Sequence, residues 1–144
     1  PGKFKDAIIR QKHIHLISTP TLNQEVVARF MENDRYENHL RKLRHELHAN
    51  SLHFAQSIID YFPEDTKIIT PQGGFMLWVE LDKRIDTTTL YYKAMQQKIS
   101  IAPGRMFTLQ DQYKNCMRLS YGQRWSPFIE ERLMLLGNII RKSF

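Results

Sequence analysis

Apolar residues recur at helical spacing in the first half of this chain and in short β-prone runs in the second. Residues 3–17 form a helix-prone stretch in which Phe4, Ala7, Ile8, Ile14 and Leu16 only partly share one face. Pro20 disfavours helix at the residue before it. Thr21 is therefore expected to cap a second helix, near 21–33, whose apolar stripe is Leu22, Val26, Val27, Phe30 and Met31. A short turn is expected at Asn33-Asp34-Arg35. Beyond it, Tyr36, Leu40, Leu43, Leu47, Phe54, Ile58 and Phe62 trace one stripe in steps of three, four and seven. That spacing predicts a long helix from Tyr36 to Phe62, stopped by Pro63.

The texture then changes. Lys67-Ile68-Ile69-Thr70 predicts a short strand ended by Pro71, and Gly73-Gly74 a turn into a second strand over Phe75–Leu81. That strand is apolar on both faces apart from Glu80, as expected of a central strand in a covered sheet. Asp86 is placed to cap a helix through about Gln97. Ile99 to Ala102 predicts a short strand stopped by Pro103-Gly104, 105–116 a long polar loop, and Met117 to Tyr121 a last strand. Ser126, with Pro127 at the first helical position, opens a final helix to about Arg141. Glu130 and Glu131 near its start and Arg141 and Lys142 at its end suit the helix dipole. Three helices, two strands, helix, strand, strand, helix describes an α+β unit: a short four-stranded sheet covered on one side by helices. The helices up to about Asp34 are expected to belong to another layer or a neighbouring domain.

Composition narrows the picture. The 144 residues are 42% hydrophobic and 25% charged, which suits one folded domain, or a compact piece of a larger one, and excludes a disordered chain. The net charge of +6 permits an anionic partner without requiring one. No apolar run approaches the ~18 residues of a membrane span, so no membrane partner is expected. The single cysteine, Cys116, excludes an intrachain disulfide and a cysteine zinc cluster. With no apolar leader, it points to a cytoplasmic location.

Candidate chemistry is sparse. In His45-Glu46-Leu47-His48 the histidines are three apart, one short of the spacing that turns two imidazoles toward one zinc, so solvated histidines and no metal site are expected. Arg41 and Arg44 share a helix face, but core leucines interleave with them. A solvated or domain-facing surface accounts for them more simply than nucleic acid does. Cys116 has no histidine nearby in sequence, and no nucleophile elbow or glycine-rich phosphate loop occurs, so no catalytic residue is assigned. Arg118 stands out inside an apolar strand. If Met117, Leu119 and Tyr121 face the core, Arg118 faces the opposite side. A guanidinium there suits a bidentate grip on a ligand carboxylate. On periodicity alone, a salt bridge to a structural Asp or Glu accounts for it more readily.

Three segments carry a resemblance. They are Pro71-Gln72-Gly73-Gly74-Phe75-Met76-Leu77-Trp78-Val79-Glu80-Leu81, Ile99-Ser100-Ile101-Ala102-Pro103-Gly104-Arg105-Met106-Phe107 and Asn115-Cys116-Met117-Arg118-Leu119-Ser120-Tyr121-Gly122. In this order and spacing they resemble the C-terminal part of class I aminotransferase-like domains of pyridoxal phosphate (PLP) fold type I. Tyr36-Glu37-Asn38-His39-Leu40-Arg41-Lys42-Leu43-Arg44 resembles, more narrowly, the MocR group of GntR-superfamily transcriptional regulators, in which this domain follows a winged helix-turn-helix.

The resemblance implies the small domain of the fold over 35–144 and a helical tail of the large domain over 1–34. It implies that Arg118 grips the α-carboxylate of an amino acid, and that Pro103 and Gly104 line the substrate side of the cleft. The family's cofactor-bearing lysine sits in a Ser-x-x-Lys-like context, which none of the ten lysines here has. No cofactor-binding residue is therefore assigned. The chain is expected to be a fragment, inactive alone, of a PLP-dependent effector-sensing domain that binds an amino acid or amine. The parent is expected to be a homodimer that meets DNA only through the missing winged helix. The alternative is a fragment of a plain aminotransferase that transfers an amino group to a 2-oxo acid. A small interaction module using the basic helix 36–62 is a third possibility.

Overall fold

The computed structural model describes residues 2–16, 18–32 and 35–144. Of the turn expected at Asn33-Asp34-Arg35, the first two residues lie outside the described residues, and Arg35 already belongs to a helix. The chain divides into two compact units, residues 1–42 and 43–144.

In the first unit, a 3-10 turn (Gly2–Phe4) leads into α1 (Lys5–His15), and α2 spans Thr21–Glu32. The helix begins at Thr21 itself, and Gln24 N–H donates to the Pro20 carbonyl at 3.4 Å, so Pro20 rather than Thr21 holds the capping position. Neither helix buries a residue, and Ile8, Ile14, Leu22, Val26 and Phe30 are all exposed. The long helix α3 runs from Arg35 to Tyr61. Close to its start, Phe30 meets the edges of Tyr36 and His39, at 5.8 and 6.3 Å between centroids.

In the second unit, β1 (Lys67–Ile69), β2 (Met76–Glu80), β3 (Ala102–Pro103) and β4 (Cys116–Ser120) form one sheet in the order β1-β2-β4-β3. Every neighbouring pair is antiparallel. The two-residue alternation decides which side is core. Leu77 and Val79 of β2 and Met117 and Leu119 of β4 are buried. They pack in one cluster with Phe54 and Ile58 of α3, Leu90 and Ala94 of α4 (Thr87–Gln96), and Leu133, Leu136 and Ile140 of α5 (Pro127–Arg141). Each of these side chains larger than alanine contributes about 1.5–3 kcal/mol by leaving water. Met76, Trp78 and Glu80 alternate to the other face and are only half-buried. The sheet is thus covered by helices on one side, as expected, and β2 is internal. Its second face owes its partial cover to a loop rather than to helices.

Both caps expected for the last two helices form. Thr88 N–H donates to the Asp86 carboxylate at 2.8 Å, and Ile129 N–H to the Ser126 hydroxyl at 3.4 Å. Burial alone would raise the Asp86 carboxyl, but hydrogen bonds from Thr88 and Thr89 outweigh it and hold the group below its usual 3.8. The sign follows: the cap's contribution is complete above about pH 4 and fades as pH falls through the lowered folded value. Asp86→Ala is expected to cost about 1 kcal/mol in urea unfolding at pH 7, and nearly nothing once the carboxyl is protonated.

Asn50 lies on the α3 stripe and is buried, where alternation alone would have placed an apolar residue. Its amide donates to the carbonyls of Tyr121 (3.2 Å) and Gln123 (2.8 Å), and its side-chain oxygen accepts from Trp125 N–H at 3.1 Å. One side chain therefore fastens the segment after β4 to α3, and His53 stacks on Trp125 beside it at 5.1 Å. Asn50→Ala leaves three backbone groups without that partner. A loss of about 2–3 kcal/mol is expected on thermal unfolding.

Candidate functional site

The ladder places the site. β4 runs between β2 and β3, so Arg118 is flanked by Trp78 on one side and Ala102 on the other. Met117, Leu119 and Tyr121 are buried among the helices, and Arg118, half-buried, faces the other way, as the alternation required. The structural salt bridge that periodicity favoured does not form. Among the described residues, Arg118 makes no ion pair and no side-chain hydrogen bond. Its guanidinium carbon lies instead 4.1 Å from the centre of the Phe107 ring. Trp78 meets Phe107 edge-on at 5.8 Å and Tyr113 at 5.4 Å.

Phe107 and Tyr113 come from a segment expected to be a polar loop. The expected strand over Ile99–Ala102 is shorter and later, Ala102–Pro103. Pro103, which lacks an N–H, is accommodated because β3 is an edge strand. The chain then turns through a 3-10 segment, Gly104–Phe107, which brings Phe107 back over Arg118. Gly104 is buried against the opposing strand entry. A Cβ there would run into the Tyr113 carbonyl oxygen, and would lie 2.8 Å from Tyr113 Cβ and 2.9 Å from the Cys116 carbonyl oxygen. Only glycine lets the turn sit this close.

Of the three residues expected to bind substrate, Pro103 pairs with Met117, next to Arg118, and Gly104 follows it directly. Arg118 itself pairs with Ala102, so Pro103 occupies the adjacent rung and turns with Met117 to the core side of the sheet, away from the Arg118 face. Pro103 also lines a groove of about 670 Å³ with Tyr91, Tyr92, Ile101 and Met106. Arg118 is not among the residues lining it. Gly73-Gly74 belongs to the connection between β1 and β2. Only Gly74 has a positive φ, +80°, and its carbonyl accepts from the Tyr121 hydroxyl at 3.1 Å. With Arg44, His48 and Tyr121 it borders a hollow of about 340 Å³. Arg41 donates to Asn38 on its own helix at 3.0 Å.

Other chemistry is accounted for. No cluster of histidine, cysteine, aspartate or glutamate among the described residues could hold a metal ion. Burial, aided by the Glu80 charge, pushes the Cys116 thiol up, away from the thiolate form that nucleophilic chemistry uses. All ten lysines are exposed, whereas an amine that carries an aldehyde cofactor has to be desolvated or otherwise made nucleophilic near neutral pH. The residues present do not fit a covalent anchor for pyridoxal phosphate. No helix among the described residues is long and apolar enough to cross a membrane.

Comparison with known proteins agrees with this architecture. Residues 6–124 match the profile of aminotransferase class I and II. The chain is 28% identical over 144 residues to the HTH-type transcriptional regulator YjiR of Escherichia coli, covering 99% of this chain and 30% of that protein. It is 30% identical over 141 residues to the HTH-type transcriptional regulator YdcR of the same organism, covering 98% of this chain and 30% of that protein. Among solved structures, LysN, the alpha-aminoadipate aminotransferase of Thermus thermophilus, superposes with a TM-score of 0.85 at 22% identity. The match covers 99% of this chain and 36% of that one, and that crystal holds N-(5'-phosphopyridoxyl)-L-leucine. The chain thus spans about a third of the length of the proteins it matches, and shares the small α+β fold of PLP fold type I aminotransferases.

Proposed function

The chain belongs to the aminotransferase class I and II family, and from that premise we propose that it is the C-terminal part of an effector-sensing domain in a MocR-type regulator of the GntR superfamily. Residues 1–34 are the helical tail of the large domain and 35–144 the small domain. In the full-length, homodimeric, cytoplasmic protein, bound pyridoxal phosphate would supply an electrophilic aldehyde, held by residues outside this chain, for an amino acid or amine. DNA is met by a winged helix outside this chain. The contribution of this chain is to bind and orient: Arg118 takes the ligand carboxylate, while Pro103 and Gly104 shape the wall beside it.

One observation carries the reading. Arg118 is an arginine on an inner strand, half-buried, with its charge unmatched by any described carboxylate. An arginine in such a place is otherwise costly, and a ligand carboxylate offsets that cost in the bidentate geometry a guanidinium favours. The ten exposed lysines support the second half of the reading, that this chain alone neither transaminates nor retains the cofactor.

The test is a spectral titration of the full-length protein with pyridoxal phosphate, with the 144-residue chain beside it. The full-length protein is expected to keep a cofactor absorption band through gel filtration, and the chain to lose it. Stoichiometric, saturable retention by the chain would overturn the assignment. The fold shared with LysN also favours a second reading, a plain aminotransferase. Steady amino transfer from an amino acid to a 2-oxo acid by the full-length protein, with no DNA binding, would select it.

A further inference from the structure

We infer that Phe107 is a positioning residue for Arg118: its ring holds the guanidinium over its face and leaves it unpaired for a carboxylate. The inference rests on the proposed reading that Arg118 receives one. The guanidinium carbon lies 4.1 Å from the ring centre, the distance of face stacking. A π face attracts the cation yet takes none of its in-plane N–H donors, so the fork stays available. A carboxylate partner at that spot would satisfy the charge and occupy the fork, and none is present among the described residues.

The ring is itself held. Trp78, the β2 neighbour of Arg118, abuts it edge-on, and Tyr113 abuts Trp78. The 3-10 turn that delivers Phe107 is seated by Gly104 against the backbone of Tyr113 and Cys116. Arg118 therefore loses much of its rotamer freedom before any ligand arrives, which is what preorganisation means for affinity. Phe107 itself is 41% exposed, so its role is not to fill the core.

The experiment uses the 144-residue chain, with propionate as the carboxylate probe and the Arg118 side-chain signals as the NMR readout. In the wild type, Arg118 is expected to resonate upfield through the Phe107 ring current and to shift saturably with propionate. Phe107→Leu should remove the ring-current shift and weaken propionate at least fivefold while leaving the unfolding midpoint nearly unchanged. Phe107→Tyr should restore both. If the wild type responds and Arg118→Ala abolishes the response but Phe107→Leu binds as well as wild type, the positioning role is overturned and the carboxylate reading stands. If the wild-type Arg118 does not respond to propionate at all, the carboxylate reading falls and the inference with it.

Discussion

Arg118→Ala in the full-length protein is expected to weaken binding of an amino acid ligand by about 30- to 150-fold, the loss of a charge-assisted bidentate contact of about 2–3 kcal/mol. The effect should be confined to ligands that carry the carboxylate. An amine of the same skeleton without it should bind both proteins alike, because the interaction removed exists only for the acid. Arg118→Lys should recover little, since an ammonium cannot reproduce the planar fork and stacks less well on Phe107. Isothermal calorimetry on the acid and amine pair is the check, and equal losses for both would show that Arg118 acts through the fold instead. The fold itself should tolerate the alanine well. Arg118 makes no ion pair among the described residues, so no partner charge is stranded when it goes.

The second large effect concerns stability. Gly137 of α5 lies where that helix meets the end of α3, and a Cβ there would collide with the Tyr61 carbonyl oxygen. It would also sit 2.9 Å from the Tyr61 carbonyl carbon and 3.2 Å from Phe62 Cδ1. The first two obstacles are backbone, which cannot rotate aside as a side chain could. Alanine is the better helix former by about 1 kcal/mol, but the collision opposes it with the cost of overpacking, about 3 kcal/mol or more in a site this closed. The expected net loss for Gly137→Ala is about 2–3 kcal/mol, read as a lower urea midpoint with an unchanged slope. The Tyr61 hydroxyl bond to Glu130 at 2.9 Å spans the same two helices and should weaken with it. A variant as stable as wild type would mean that α5 can slide along α3 without penalty.

Much of this was legible in the chain because the deciding signals are local. Pro63, Asp86 and Ser126-Pro127 punctuate the helices through their own backbone chemistry. The alternation over Met117 to Tyr121 was enough to send Arg118 to the face opposite the core. The motifs around Arg118, Pro103 and Gly104 placed these residues in one family pattern, while the ladder puts Ala102, not Pro103, opposite Arg118. The missing parts depend on partners far away in sequence. Phe107 and Tyr113 lie in a stretch with no strand or helix periodicity, and nothing in their spacing says that a 3-10 turn folds one over Arg118 while the other braces Trp78. Asn50 is a polar residue on an apolar stripe, and nothing local names its partners, the carbonyls of Tyr121 and Gln123 more than seventy positions on. Strand β3 starts at Ala102 rather than Ile99 because pairing with β4, not local propensity, sets where an edge strand begins.

The ends of the sheet have a consequence for how this unit behaves when crowded. A free edge is a template on which another chain can lay a strand. Here one edge is only Lys67–Ile69, carries a charged lysine and is followed, one residue on, by Pro71. The other is Ala102–Pro103, where one of the two residues has no N–H to offer. Neither edge presents the run of alternating donors and acceptors that a docking strand would need. Borders this short and this poor in donors make the sheet a weak template for a docking strand, which guards against runaway association through the backbone.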